Sequence, residues 1–335
     1  MRVGDWMQRF KQLVGILILA LLTFYFVSGY KTSTETKDHI ELASFISAKL
    51  VDEKYVIDPI KFQPVDADAA VLINGVTGDL LFDQNSDEPL PIASMSKIMT
   101  QLIVLEAIEQ GHIRWDDVVS ISEYAHTISH QPGYASVLLE KDATYTVEQL
   151  FHAMSIRSAN GATIALAEYV AGSEKAFVVR MNEKSEQLQL SSASFVNSTG
   201  LANRDLLGFH SVGTMEDMNV MSARDLAYLS QYVLLYYPDL LQITKKGEFQ
   251  FDDETYTNSN WMLPGLDVPF TEMDLTFPGV DGLKTGFIDE SGYCFAGTMQ
   301  FGDRRVISVV IGTDEIEDRF VVTKQLYETV IKESE

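Results

Sequence analysis

The sequence predicts an α/β protein of the α+β kind: one antiparallel sheet flanked by helices, with a mainly helical lobe inserted into it. Three observations carry this prediction. Apolar runs of strand length lie at residues 66–83 and again at 279–312, and helix-period patterns fill the interval from Trp115 to about Leu235. No internal repeat divides the chain, so one sheet draws strands from both ends of the globular part.

The first strands are an expected β-hairpin. Residues 66–74 and 79–83 are apolar runs, and Gly75-Val76-Thr77-Gly78 joins them as a turn. A turn-rich stretch, 83–89, leads into Pro91-Ile92-Ala93-Ser94-Met95-Ser96-Lys97-Ile98-Met99-Thr100 and a helical run reaching about Gln110. Proline followed by serine and then by apolar residues at helical spacing predicts a helix start with Ser94 in its first turn. Thr146, with Gln149 three residues on, predicts a capped helix to about Arg157. Further helices are expected at 162–170, 174–188 and from Met221-Ser222-Ala223-Arg224-Asp225 onward. Three strands follow at 279–287, 293–300 and 305–312, and a terminal helix at 314–335.

Composition narrows the function. A chain of 335 residues with 46% hydrophobic residues can bury a sizeable core. Its 25 basic and 48 acidic residues leave a formal net charge of -23, which excludes nucleic acid as a partner. Cys294 is the only cysteine, so no intramolecular disulfide and no multi-cysteine metal site can form. On an apolar strand, it reads as a small buried hydrophobe.

The N-terminus differs from the rest. Arg2, Arg9 and Lys11 precede an almost wholly apolar run from Leu13 to Gly29. A basic flank before an apolar run predicts a membrane anchor or signal segment over 1–30, with the remainder outside the cytoplasm. Without a clear cleavage site the uncleaved anchor is favoured. Residues 31–62 are expected to be a linker with a short helix near 41–54, and 63–335 a single catalytic domain that no further domain follows.

Three short stretches carry chemistry. Ser94 and Lys97 stand three apart on one predicted helix face, where an amine can take a hydroxyl proton. Alone the pair says little, since Ser28 and Lys31 repeat its spacing. Ser158-Ala159-Asn160 follows a predicted helix and offers a hydroxyl and a carboxamide, though a helix cap needs the same residues. Lys284-Thr285-Gly286 ends a predicted strand with a cation, a hydroxyl and a residue that admits close backbone approach. Taken in this order, the three match the serine-lysine, serine-x-asparagine and lysine-threonine-glycine set of β-lactamases and penicillin-binding proteins, with Ala159 where the set has aspartate.

From about Asp66 to Thr329 the chain closely resembles the serine D-alanyl-D-alanine carboxypeptidases, the low-molecular-mass penicillin-binding proteins. Besides the three motifs, residues 164–173, Asn197-Ser198-Thr199-Gly200-Leu201, 222–226 and 280–286 carry the likeness. The resemblance implies a β-lactamase/transpeptidase-like fold, no cofactor and no metal. It implies a peptidoglycan stem peptide ending in D-Ala-D-Ala as substrate, and β-lactam antibiotics as inhibitors. Ser94 would be the nucleophile, Lys97 its general base, Ser158 a proton relay and Asn160 a substrate-amide contact. Lys284 would lower the Lys97 pKa. The backbone N–H groups of Ser94 and Phe287 would form the oxyanion hole, with Gly286 beside it. Phe287 stands where members often carry histidine. Thr285 and Arg319 would hold the terminal carboxylate, unless Arg319 only pairs at the surface with Asp318 or Glu317.

Three rival readings fit parts of the same sequence. A serine β-lactamase shares the three motifs but deacylates fast, which in one class is assigned to a glutamate on a loop before the final strands. Glu216 and Asp217 lie in the 203–220 stretch, but no matching glutamate motif stands out. A metallohydrolase has a starting point in His126 and His130, four apart and near Glu123. A zincin glutamate would follow the first histidine, where Thr127 stands instead, so a polar helix face is expected. A catalytically degenerate wall-binding membrane protein would lack core residues that this chain has. Residues 208–220 are expected to form an extra loop near the site, a candidate gate.

Overall fold

The expected hairpin forms as β1 (Ala69–Asn74) and β2 (Leu80–Gln84) in a computed structural model that describes residues 62–268 and 271–332. The apolar run at 13–29 and the short helix near 41–54 lie outside the described residues. After β3 (Pro89–Pro91) the chain makes a 3-10 turn, Ala93–Ser96, and enters α1 (Lys97–Glu109). The helical lobe follows: β4 (Val118–Ser120), α2 (Glu123–Ser129), β5 (Thr144–Thr146), α3 (Val147–Arg157), α4 (Asn160–Ala171) and α5 (Glu174–Gln187). Then come β6 (Val220–Ser222), α6 (Ala223–Tyr236), α7 (Leu240–Thr244), and the hairpin β7 (Glu248–Phe251) and β8 (Glu254–Thr257). Strands β9 (Val280–Ile288), β10 (Gly292–Phe301) and β11 (Arg304–Thr313) precede the last helix, α8 (Asp318–Lys332).

One five-stranded antiparallel sheet recruits both ends, in the order β2-β1-β11-β10-β9. Val71 stands opposite Val309, and Phe295 opposite both Val310 and Thr285. Ala69, Ala70, Val71, Leu72 and Ile73 are all fully buried. Since successive strand residues point to opposite faces, both faces of β1 must be covered. Helix α8 covers one, with Phe320, Leu326 and Tyr327 packed among Leu72, Phe295 and Val310; α6 packs against β1 and β11.

Helix α1 is buried along almost its whole length, as an apolar run with few polar breaks requires. Its buried polar groups find partners: Thr100 Oγ1 donates to Ser198 O at 2.8 Å, and Gln101 Nε2 to Ser155 Oγ at 2.9 Å. The Thr146–Gln149 capping box forms as expected and fixes the start of α3. Two local readings change. Ser94 lies not in the first turn of an α-helix but in the 3-10 turn before it, where Met95 N donates to Ile92 O at 3.1 Å and Ala93 has φ 45°. The β7–β8 hairpin was not anticipated, although Glu248–Thr257 alternates around an Asp252-Asp253 turn and buries Phe249 and Phe251.

Candidate active site

The 3-10 turn holds Ser94 between β3 and α1, and two glycines let other backbone close around it. A Cβ on Gly286 would fall 3.0 Å from Ile92 O and 3.2 Å from the Ala93 Cβ, so glycine there lets β9 run against the turn. Gly200, at φ +83°, packs tighter still, since its Cβ would fall 1.9 Å from Ala93 O. Strand β9 is an edge of the sheet, which leaves one side of its backbone free of strand partners.

Lys97 enters from the first turn of α1. Its Nζ lies 2.8 Å from Ser94 Oγ, 2.7 Å from Asn160 Oδ1 and 2.7 Å from the Thr199 carbonyl oxygen. The ammonium is fully buried. Burial, and then the nearby Lys284 charge, hold its pKa well below the usual lysine value. No carboxylate among its contacts opposes that shift. Lys284 is also buried, with Nζ donating to Thr285 O at 3.0 Å. Burial and the Arg319 charge lower it to about 7.

A cavity of about 630 Å³ opens over this group. Ser94, Ser158, Asn160, Thr285, Gly286, Phe287 and Arg319 line it, while Lys97 and Lys284 do not. Ser158, the left-handed residue that ends α3 (φ 64°), has a buried Oγ without a hydrogen-bond partner among the described residues. Asn160 opens α4; its N–H donates to Ala135 O at 3.0 Å while its side-chain oxygen is taken by Lys97. Thr285 Oγ1 donates to Ser259 Oγ at 2.8 Å. Phe287 is 45% exposed and stacks on Tyr293 with ring centroids 4.3 Å apart.

Arg319 is not a surface residue. It is 5% exposed in the first turn of α8, its Nη1 donates to Gly286 O at 3.1 Å, and its guanidinium lies 5.4 Å from the Tyr293 ring centre. Burial lowers its pKa to about 10, which leaves it a cation at neutral pH, and its Nε has no partner among the described residues. The alternative of a surface pair with Asp318 or Glu317 is therefore set aside.

Several residues of the site were not picked out from sequence. Thr199 contributes a carbonyl, which no side-chain pattern reveals. Behind it the buried Glu174 accepts from Ser198 N at 3.0 Å and Ser198 Oγ at 2.7 Å and so holds that segment; burial raises its pKa. Tyr134, Ser259 and Tyr293 line the cavity from three separate segments. The expected gate, residues 208–220, contributes no residue to the cavity lining; Leu201, Arg204 and Asp205, which precede it, do line the cavity. Asn203 Nδ2 ties the expected loop down through Val212 O and Thr214 O, each at 2.8 Å. Cys294 is buried in β10, its thiol pushed up by burial, which does not suit a nucleophile.

Comparison with known proteins places this geometry. The family described as D-alanyl-D-alanine carboxypeptidase matches residues 57–315. The chain is 36% identical over 262 residues to the D-alanyl-D-alanine carboxypeptidase DacF of Bacillus subtilis, covering 78% of this chain but 61% of that protein's length. A peptidoglycan synthesis regulatory factor, PBP3 of Streptococcus pneumoniae, superposes with a TM-score of 0.74 at 34% identity, over 80% of this chain and 74% of that one. Penicillin-binding protein D2 of Listeria monocytogenes, in its cefotaxime-bound form, gives 0.68 at 31% identity, over 81% and 99%.

Proposed function

This chain belongs to the D-alanyl-D-alanine carboxypeptidase family, and from that membership we propose that it is a serine-type carboxypeptidase removing the terminal D-alanine from peptidoglycan stem peptides. The observation that carries the reading is the buried Lys97 amine, with its pKa lowered, 2.8 Å from Ser94 Oγ at the edge of an open cavity. A neutral amine has a lone pair for the serine proton, whereas an ordinary surface lysine does not.

Ser94 Oγ gives its proton to Lys97 Nζ as it attacks the carbonyl between the two D-alanines. The oxyanion is held by the backbone N–H groups of Ser94 and Phe287. The peptide C–N bond then breaks. The departing amine receives the proton from Lys97 through Ser158, whose unpartnered buried hydroxyl suits a relay. An ester remains on Ser94. Water adds to it, giving a proton to Lys97, and Lys97 passes that proton to Ser94 Oγ as the shortened peptide acid leaves, which restores both residues. Asn160 and the edge backbone of β9 position the peptide. Thr285 and the buried Arg319 cation draw its terminal carboxylate. A β-lactam enters by the same attack, as its cyclic amide opens onto Ser94.

We extend the proposal to location: the apolar run at 13–29 tethers the chain to the membrane, with residues 63–335 outside the cytoplasm. Among the described residues, no helix is long and apolar enough to cross a membrane.

The test combines mass spectrometry after incubation with benzylpenicillin and an assay of D-alanine release from a D-Ala-D-Ala peptide. The expected outcome is one adduct on Ser94, with release and adduct both lost in Ser94→Ala. A folded wild-type chain that gives neither would return the account to a wall-binding role.

A further inference from the structure

We propose that His126, His130 and Glu140 form a binding site for one Zn²⁺ ion, apart from the Ser94 cavity, that clips together the two ends of a loop lining it. The two imidazoles come from one turn at the end of α2, four residues apart, with ring centroids 4.2 Å from each other. The carboxylate arrives from residue 140, at the far end of the loop. The ligand atoms of all three lie within 4.8 Å of one another, and His130 Nε2 is already 3.4 Å from Glu140 Oε1. A tetrahedral zinc with ligands at about 2.0–2.1 Å separates them by roughly 3.3 Å, a closure that side-chain rotation supplies.

Hydrogen bonding has set both rings for the task. His126 Nδ1 lies 2.6 Å from Leu139 O. A carbonyl can only accept, so Nδ1 is the donor and, in the neutral ring, Nε2 is the nitrogen with the lone pair. His130 Nδ1 lies 3.0 Å from His126 O and 3.0 Å from Ser129 Oγ, and that hydroxyl spends its own proton on His126 O at 2.7 Å. Again Nδ1 must donate. Histidine ligands are commonly held this way, with one nitrogen on a backbone carbonyl and the other on the metal. The backbone of Glu140 is held as well, its N–H donating to Tyr145 OH at 3.2 Å.

Glu123, the acid nearest the two histidines in sequence, is not the third ligand. It pairs with Lys141 and accepts from Thr127. Two imidazoles and one carboxylate with water on the open side is a borderline donor set that suits Zn²⁺ over Mg²⁺ or Ca²⁺. The formal charge of -23 raises the local concentration of any divalent cation.

The consequence lies in residues 131–139. Gly133, Tyr134 and Ala135 line the Ser94 cavity, Ala135 O receives the Asn160 N–H, and Tyr134 OH donates to Asp205 O at 2.8 Å. A metal held by His130 and Glu140 closes this loop at its base. It stabilises the folded chain by mass action without supplying any reacting group.

The experiment titrates ZnCl2 into the full chain, stripped with a chelator, and follows heat and melting temperature. His130→Gln and Glu140→Gln are compared with wild type; both residues are exposed, so the metal-free variants should melt as wild type does. His152→Gln, a histidine outside the cluster, is the control. The expected result is one Zn²⁺ per wild-type and control chain, a raised melting temperature, and an affinity about tenfold or more weaker in each of the other two variants. No binding by wild type, or equal affinity in all four chains, would overturn the site. Neither depends on the carboxypeptidase activity.

Discussion

At the scale of single residues, the site turns on a lysine whose pKa is held well below its usual value. Among the described residues Lys97 has no carboxylate partner; it meets two oxygens of uncharged groups, the Ser94 hydroxyl and a cationic neighbour. Replacing it with methionine should leave a folded chain whose acylation by benzylpenicillin is slower by about 10²–10⁴. A stopped-flow rate within tenfold of wild type would remove Lys97 from the role of base. The neighbouring charge makes a separable prediction. Lys284 adds to burial in lowering the Lys97 pKa, so Lys284→Gln should let that pKa rise and move the acidic limb of the kcat/KM profile to higher pH. An unmoved limb would mean that burial alone suffices.

Lys284 also links stability to pH. Its folded pKa of about 7 lies below its ordinary 10.5, so between those values the unfolded chain holds more protons than the folded one. Stability must then rise with pH across that window, and the cost of burying the cation is greatest below it. Lys97 adds in the same direction. Urea unfolding of Lys284→Met should show a flatter rise between pH 7 and pH 9 than wild type; parallel curves would contradict the shift.

At the scale of elements, Ser94, the proposed nucleophile, is positioned by contact between β9 and the turn before α1. Gly286→Ala puts a methyl 3.0 Å from Ile92 O, and an extended strand tolerates alanine, so the strain falls on this contact and not on the backbone of β9. Acylation should slow by about tenfold or more while the melting temperature falls only a few degrees. A rate equal to wild type would show that the turn keeps its shape without the close approach. Gly200→Ala is a contrasting case. There both the positive φ and the 1.9 Å overlap with Ala93 O oppose a side chain, so folding itself should suffer.

At the scale of the whole molecule, charge is the dominant feature. A formal -23 spread over 335 residues repels itself in the folded state, and added salt screens that repulsion. The melting temperature should therefore rise between roughly 20 mM and roughly 300 mM NaCl. A fall would mean that ion pairs such as Arg305 with Asp281, bidentate at 2.8 and 2.9 Å across the sheet, outweigh the net repulsion.

The sequence by itself determined the element types and most of the site's chemistry. Strand runs, the Thr146 cap and the Ser94–Lys97 spacing are local features, and local geometry decides them. Ser94, Ser158, Asn160, Thr285, Gly286, Phe287 and Arg319 were all legible as residue types, and the structure brings them to one cavity. What only the tertiary structure decided depends on separations along the chain that no spacing rule spans. The Thr199 carbonyl reaches Lys97 from 102 residues away. Arg319 sits under β9 and not at the surface, because α8 packs its first turn beneath Gly286. Glu140, not Glu123, meets the two histidines, because the loop from α2 doubles back before β5. In each case the deciding partner is a backbone carbonyl or a group brought in by packing, and neither leaves a pattern in the side chains alone.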